Sequence, residues 1–369
     1  MRRVPFFNYP TVFTSEEEDL IRIFVDVGRR GAFIMQKDVT DFEHNLAEYV
    51  GAGYAVGVGN ATDGLYFMLV AGGIRPGDEV IICSHTMMAT AAAIHFAGGV
   101  SVPVEVGPDR LIDYDSIEAA ITPRTRALMP THLNGRTCDM DRIEAICGKH
   151  DLLLFEDAAQ ALGSKWRGKC AGTFGLASAI SFYPAKTLGC LGDGGAVITS
   201  DSQVYEKLLL LRSFGQDADG RYVMWAMNSR LDNLQAAILG HRLTSYDRVI
   251  SRRRGIAAHY QRRLGHLRQL DLPAHPDSDL KHFDIYQNYE VVAEDRDRLK
   301  AFLHERGVGT LVQWRGQPVH QQQSLGFTQH LPRTDVFFER CLMLPLNMAV
   351  SDEDTDYVCD QMEAFYRGH

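Results

Sequence analysis

The sequence predicts an α/β protein in which a large domain with a mostly parallel central sheet is followed by a smaller C-terminal α+β domain. Three observations predict it. From about residue 40 to residue 200, short apolar runs alternate with helix-like stretches, the order that builds parallel sheets. The runs are continuous rather than alternating in polarity, which suits strands covered on both faces. Near Arg230 the texture changes to a helical periodicity that runs without proline to about residue 264.

The strands are expected at 79–83 (EVIIC), 100–106 (VSVPVEV), 127–130 (ALMP), 152–155 (LLLF), 179–182 (AISF) and 196–199 (AVIT), each bounded by Gly, Asp, Pro or polar residues. A further strand begins near Val56. Helices fall between them at 63–71, 89–96, 116–121, 140–150 and 203–212. The stretch DNLQAAILGHRLTSYDRVISRRRGIAAHYQRRL reads as one long helix starting near 230. It joins a large domain, 1–240, to a small one, 241–369. In the small domain a strand is expected at 286–292, a helix at 295–306 ended by Gly307, a strand at 310–314 and a terminal helix at 353–366.

Composition narrows the function. With 369 residues, one large and one smaller domain is the natural division. The net charge of −9 disfavours a protein that tracks nucleic-acid phosphates, and Arg252–Arg254 reads as a solvated helix face. Seven cysteines without a C-x-x-C pair read as reduced core thiols, with no metal site. The N-terminus lacks the apolar core of a secretion signal, and no run approaches the ~18 apolar residues of a membrane span. A cytoplasmic protein acting on small molecules is expected.

Three segments carry chemistry. In SAISFYPAKTLGCLGDGGAVIT, Lys186 follows an apolar strand inside a Gly-rich turn. Only eight lysines occur against thirty arginines, and this one alone has such a setting. A lysine amine kept from water is a nucleophile toward a carbonyl cofactor; a phosphate-binding or plain loop lysine is the alternative. In LLLFEDAAQALGS, Asp157 lies at the carboxyl end of a buried strand, where open sheets place ligands. Either it meets a cation there or it caps the following helix. Glu156 alternates to the other side as a structural group, and Gln160 returns to the Asp157 side. In VGVGNATDGLYF, the turn Gly59–Thr62 between strand and helix offers free amides to a phosphate. It matches neither the dinucleotide fingerprint nor the P-loop.

Phosphate turn, EDAAQ, SFYPAK-x-LG-x-LGDGGA and NSRLDNLQAA, in that order, resemble the DegT/StrS-like sugar aminotransferases, from about Gly31 to Met348. The resemblance implies the aspartate aminotransferase fold (fold type I) and pyridoxal 5'-phosphate, with pyridoxamine phosphate as the intermediate form. It implies that Lys186 is the Schiff-base lysine and proton shuttle, that Asp157 pairs with the pyridinium nitrogen and that Gln160 lies near the ring. Ala61, Thr62 and Ser181 would hold the phosphate, joined by Asn228 from the neighbouring subunit of a homodimer with shared active sites.

Two positions depart from the family pattern. Met87 stands where an aromatic residue commonly covers the ring, with His85 and His132 as nearby alternatives. Asn134 stands where relatives often have tyrosine. In the loop LVQWRGQPVHQQQSLGF, Trp314, Arg315 and His320 either contact substrate or form a domain interface. Arg230 is placed to bind the donor carboxylate or an interface carboxylate. The implied activity is ping-pong transfer of an amino group from glutamate to a keto-sugar, nucleotide-linked (such as a 4-keto-6-deoxy sugar) or a free keto-sugar acid. Dehydratase relatives replace the lysine by histidine, so Lys186 argues against dehydration. A regulatory protein that keeps the fold is the remaining reading.

Overall fold

The computed structural model describes residues 2–368. Its centre is a seven-stranded sheet built from β1 (Tyr54–Val58), β2 (Glu79–Cys83), β3 (Val100–Val104), β4 (Thr125–Leu128), β5 (Leu153–Asp157), β6 (Ala177–Ser181) and β7 (Gly195–Thr199). The spatial order is β1-β7-β6-β5-β4-β2-β3. The strands from β2 to β6 pair in parallel, while β7 runs antiparallel to both β6 and β1. The sheet is thus mostly parallel, as expected. The reversal has a local cause: the segment between β6 and β7 carries no helix to cross over a face, so the chain turns back on itself.

The apolar runs fill two layers. Helix Ala61–Ala71 is apolar on nearly every side and packs beneath the sheet with Val56, Val80, Phe155 and Val197. Helix Lys37–Val50 covers the other face through Phe42 and Leu46, against Ile180, Phe182 and Leu239. At roughly 25 cal/mol per Å², burying each of these large side chains contributes about 2–3 kcal/mol.

A second core unites Tyr260, Leu264, Tyr289, Val291, Leu342, Val358 and Met362, and it includes Val4 from the start of the chain. Here β8 (Leu270–Asp271), β9 (Tyr289–Ala293) and β10 (Cys341–Leu344) form a three-stranded antiparallel sheet. Helices Tyr246–Leu264 and Asp352–Arg367 pack beside it.

Several boundaries differ from the sequence reading. The long helix is two helices, Asn233–Leu243 and Tyr246–Leu264. Thr244 turns its hydroxyl back to the His241 carbonyl, and Ser245 leaves helical geometry, which breaks the rod. The strand expected at 286–292 starts only at Tyr289, because Tyr286 is left-handed with φ 53°. The strand expected at 310–314 is absent. Leu311 makes one bridge to Met343, and the chain then turns through left-handed Trp314 and Arg315. Helix Glu17–Arg30 was legible in its acidic first turn, basic last turn and Gly31 cap but is not in the sequence reading. All seven cysteines are buried and free. Among the described residues no helix is long and apolar enough to cross a membrane, and no cluster of side chains is arranged for a metal.

Candidate active site

The carboxyl ends of the parallel strands and the loops that follow them enclose a cavity of about 330 Å³. Ala61, Thr62, Met87, Asp157, Gln160, Ser181, Lys186 and Trp314 all line it, drawn from segments spread over 250 residues of chain.

One end is a cradle of backbone amides. Helix Ala61–Ala71 points its amino terminus at the cavity, so its first amides lack intrahelical partners. Asn60 caps it by accepting from the Asp63 amide at 2.9 Å and donating to the Asp63 carboxylate. Ser229 secures the turn from outside, accepting from the Gly59 amide at 2.9 Å and donating to Asp63 at 2.6 Å. Ser181 closes the cradle at the end of β6. A Cβ on Gly195 would lie only 2.6–2.9 Å from backbone atoms of Asn60 and Ala61, so only glycine lets β7 pass this close.

Opposite lies the Asp157 carboxylate, almost fully buried at the tip of β5. Its Oδ2 accepts from Thr90 Oγ1 at 2.7 Å and its Oδ1 from the Ala159 amide at 3.2 Å. Thr90 is held by Thr86, which also meets Thr131, at 2.9 Å each. No basic side chain hydrogen-bonds to Asp157 among the described residues, and the carboxylate lines the same cavity as Lys186. The helix-cap alternative is not what the structure uses.

Lys186 reaches the same cavity from the loop after β6. Its Nζ makes no hydrogen bond among the described residues. Burial pulls the amine down to about 8, against the opposing attraction of Asp157. Gln160 stands beside it, its Oε1 accepting from the Asn134 amide at 2.9 Å and from Asn288 at 3.2 Å, which leaves its NH₂ group uncommitted.

Of the three candidates for covering a planar ligand, only Met87 lines the cavity. His85 is buried against Phe337 and Phe338, and His132 is bound to Glu156 at 2.8 Å. Glu156 is structural, as expected. It accepts from the amides of Gly172, Phe174 and Gly175 at 2.7 Å each. Burial would raise its pKa, but His132 and these amides hold it below the ordinary carboxylate range.

Four expected contacts are not in this cavity. His320 is buried with both ring nitrogens engaged, to Ser84 at 2.8 Å and Asp335 at 3.0 Å, so it ties two segments together and has no nitrogen for substrate. Arg315 is exposed beyond Trp314. Arg230 sits over the Phe214 ring. Asn228 is exposed, at the base of a hairpin closed by its bridge to Ser213. Thr90, Ser229 and Gly195 were missed: the cap at Asn60–Asp63 was readable, but their partners lie 67 to 170 residues away.

The sequence pattern of the DegT/DnrJ/EryC1/StrS aminotransferase family matches residues 14–363. The chain is 38% identical over 350 residues to dTDP-3-amino-3,4,6-trideoxy-alpha-D-glucose transaminase of Streptomyces venezuelae, covering 93% of this chain and 91% of the relative. It is 37% identical to the pleiotropic regulatory protein of Geobacillus stearothermophilus, over 99% of both chains. Among solved structures, S. venezuelae DesV in complex with a ketimine intermediate superimposes with a TM-score of 0.94 at 36% identity, covering 99% of each chain. Bacillus subtilis NtdA with bound PMP cofactor gives 0.90 at 28% identity, over 100% of this chain and 86% of that one. With its lysine, aspartate and amide cradle gathered in one cavity and this breadth of match, the chain belongs to the DegT/DnrJ/EryC1/StrS aminotransferase family.

Proposed function

We propose that the protein transfers an amino group from glutamate to a nucleotide-linked keto-sugar, using pyridoxal phosphate held in this cavity. The observation that carries the reading is the Lys186 amine, without a hydrogen bond among the described residues and enclosed in one cavity with Asp157 and the amino terminus of helix Ala61–Ala71.

The residues fit the cofactor. The amino terminus of helix Ala61–Ala71, with Thr62 and Ser181, matches a phosphate group. Asp157 matches a protonated ring nitrogen, and the Gln160 amide a ring oxygen. Met87 provides an apolar, polarisable wall for a ring face. When bound, the cofactor supplies the carbonyl that carries the amino group and the electron sink that stabilises charge at the donor α-carbon.

The chain supplies the rest. Lys186, its affinity for a proton lowered by burial, takes the α-proton from the donor and returns a proton on the other side of the transfer. Thr90 and the Ala159 amide orient the Asp157 carboxylate by donating to its two oxygens. Substrates enter in turn, in ping-pong order, because one amine acceptor serves both half-reactions.

Asn228 and Arg230 are proposed to act in the partner site of a homodimer. The hairpin that presents them carries exposed Phe214, Tyr222, Val223, Trp225 and Met227, an apolar surface that a second copy would bury. Buried free thiols suit a reducing cytoplasm.

The testing experiment mixes the protein, preloaded with glutamate, with a panel of keto-sugars and follows recovery of the cofactor's aldehyde-form absorbance. Recovery with a nucleotide-linked 4-keto-6-deoxy sugar is expected. Recovery only with a free keto-sugar acid would replace the substrate, and dehydrated product without amination would replace the reaction.

A further inference from the structure

Behind Leu133 and Asn134 lies a second cavity, of about 380 Å³, walled by the loops at Asp109–Arg110 and Asn134–Arg136 on one side and by residues 271–274 and 284–290 on the other. Its volume falls in the range of small-molecule sites. The acidic and basic side chains on its wall are four carboxylic acids, Asp109, Asp271, Asp284 and Glu290, and two guanidiniums, Arg110 and Arg136, beside the Tyr286 phenol.

These groups are not all matched to each other. Glu290 is almost wholly buried; its Oε2 accepts from Asn134 Nδ2 at 2.8 Å, while its Oε1 has no hydrogen-bond partner among the described residues. His85 Nε2 lies 3.6 Å from it, but burial pulls that imidazole down to about 3 and keeps it uncharged. Asp284 spends one oxygen on Arg136, and its buried Oδ1 is likewise unpartnered. Arg110 donates to the carbonyl and carboxylate of Asp271 through one nitrogen, and its Nε is unpartnered. Buried groups of this kind in a native protein call for a partner.

The backbone is also bent toward the cavity. Arg110, Asn134 and Tyr286 line it with φ of 68°, 57° and 53°, left-handed conformations that side-chain-bearing residues adopt only when the surroundings impose them. Pro273, Ala274 and Tyr286 add an apolar wall.

We infer that this cavity is a second binding site, separate from the cofactor cavity, for a small hydroxylated amine of monosaccharide size. Asp271 and Asp284 are paired with Arg110 and Arg136, which leaves Asp109 and Glu290; burial raises the pKa of both, Glu290 to about 7, and an ammonium group would hold them ionised. Planar acid, amide and guanidinium groups suit neighbouring hydroxyls, and the apolar wall suits a sugar's C–H face. The site is joined to the first cavity through Asn134. Its side chain binds Glu290 while its backbone amide binds Gln160 at 2.9 Å.

Titration calorimetry with D-glucosamine and with D-glucose tests this. The protein is used as isolated and again after treatment with glutamate, so that an amine captured by an aldehyde cofactor is not counted. Saturable binding of one glucosamine per chain is expected in both preparations, with glucose about tenfold weaker or more. Glu290→Gln should weaken glucosamine binding by about tenfold or more with the melting temperature retained. Asp271→Asn, at a mostly exposed side chain, should also weaken it, and decides the matter if Glu290→Gln does not fold. Absence of saturation up to about 50 mM, equal binding of glucose, or unchanged affinity in Asp271→Asn and any folded Glu290→Gln would each overturn the assignment.

Discussion

Thr90 Oγ1 lies 2.7 Å from Asp157 Oδ2, joining the first turn of one helix to the tip of β5 inside the protein. The hydroxyl donates, so it stabilises the ionised carboxylate. A hydrogen bond to a charged group contributes about 1.5–3 kcal/mol, and each 1.36 kcal/mol is about tenfold in rate. Thr90→Val should therefore lower kcat by about ten- to a hundredfold at nearly constant KM for the donor. The pH at which the bound cofactor's visible band changes should move as well. Thr90→Ser should restore both, and an unchanged band in Thr90→Val would show that the bond does not govern Asp157.

Lys186 should be detectable without any turnover. Its amine loses its proton near pH 8 in the folded chain and near 10.5 when unfolded. Between those values the unfolded chain holds more protons, so raising the pH favours the folded state. The cofactor-free protein should gain stability from about pH 8 to 10.5 relative to Lys186→Ala, in which this contribution is missing. The same variant should retain the fold and lose transamination. Parallel denaturation curves across that window would contradict the buried-amine account.

Gly195→Ala tests the cradle. The added methyl would meet the Asn60–Ala61 backbone at under 3 Å, which forces the turn at Asn60–Ala61 away from β7. Weaker retention of pyridoxal phosphate on gel filtration is the expected outcome, with a smaller effect on far-ultraviolet circular dichroism.

Glu156→Ala should damage stability rather than chemistry. It strands three amides and His132 in the interior. Leaving a buried donor without its acceptor costs about 1–3 kcal/mol for each group, readable as a shift of the urea midpoint.

The shared-site dimer is tested by complementation. Neither Lys186→Ala nor Asn228→Ala homodimers should turn over at the normal rate. Mixed dimers should hold one site with both residues intact and recover activity. Mixed dimers that form without recovery would place Asn228 in service of its own subunit.

The strand runs, the parallel class, the lysine in its glycine-rich turn and the aspartate at a strand tip were all legible in the chain, because each is a local pattern. Apolar runs bury themselves wherever they lie, and Met140–His150 and Glu79–Cys83 form at the expected residues. Tertiary structure alone decided what these residues meet. Thr90 and Asp157 are 67 positions apart, and Ser229 reaches Gly59 across 170. His320 has the composition of a substrate contact, yet Ser84 and Asp335 occupy it. The expected long helix fails at Thr244–Ser245, where side-chain hydrogen bonding outcompetes an otherwise helical periodicity. Periodicity reports which face of a segment avoids water; the partner of a polar atom depends on where the rest of the chain comes to lie.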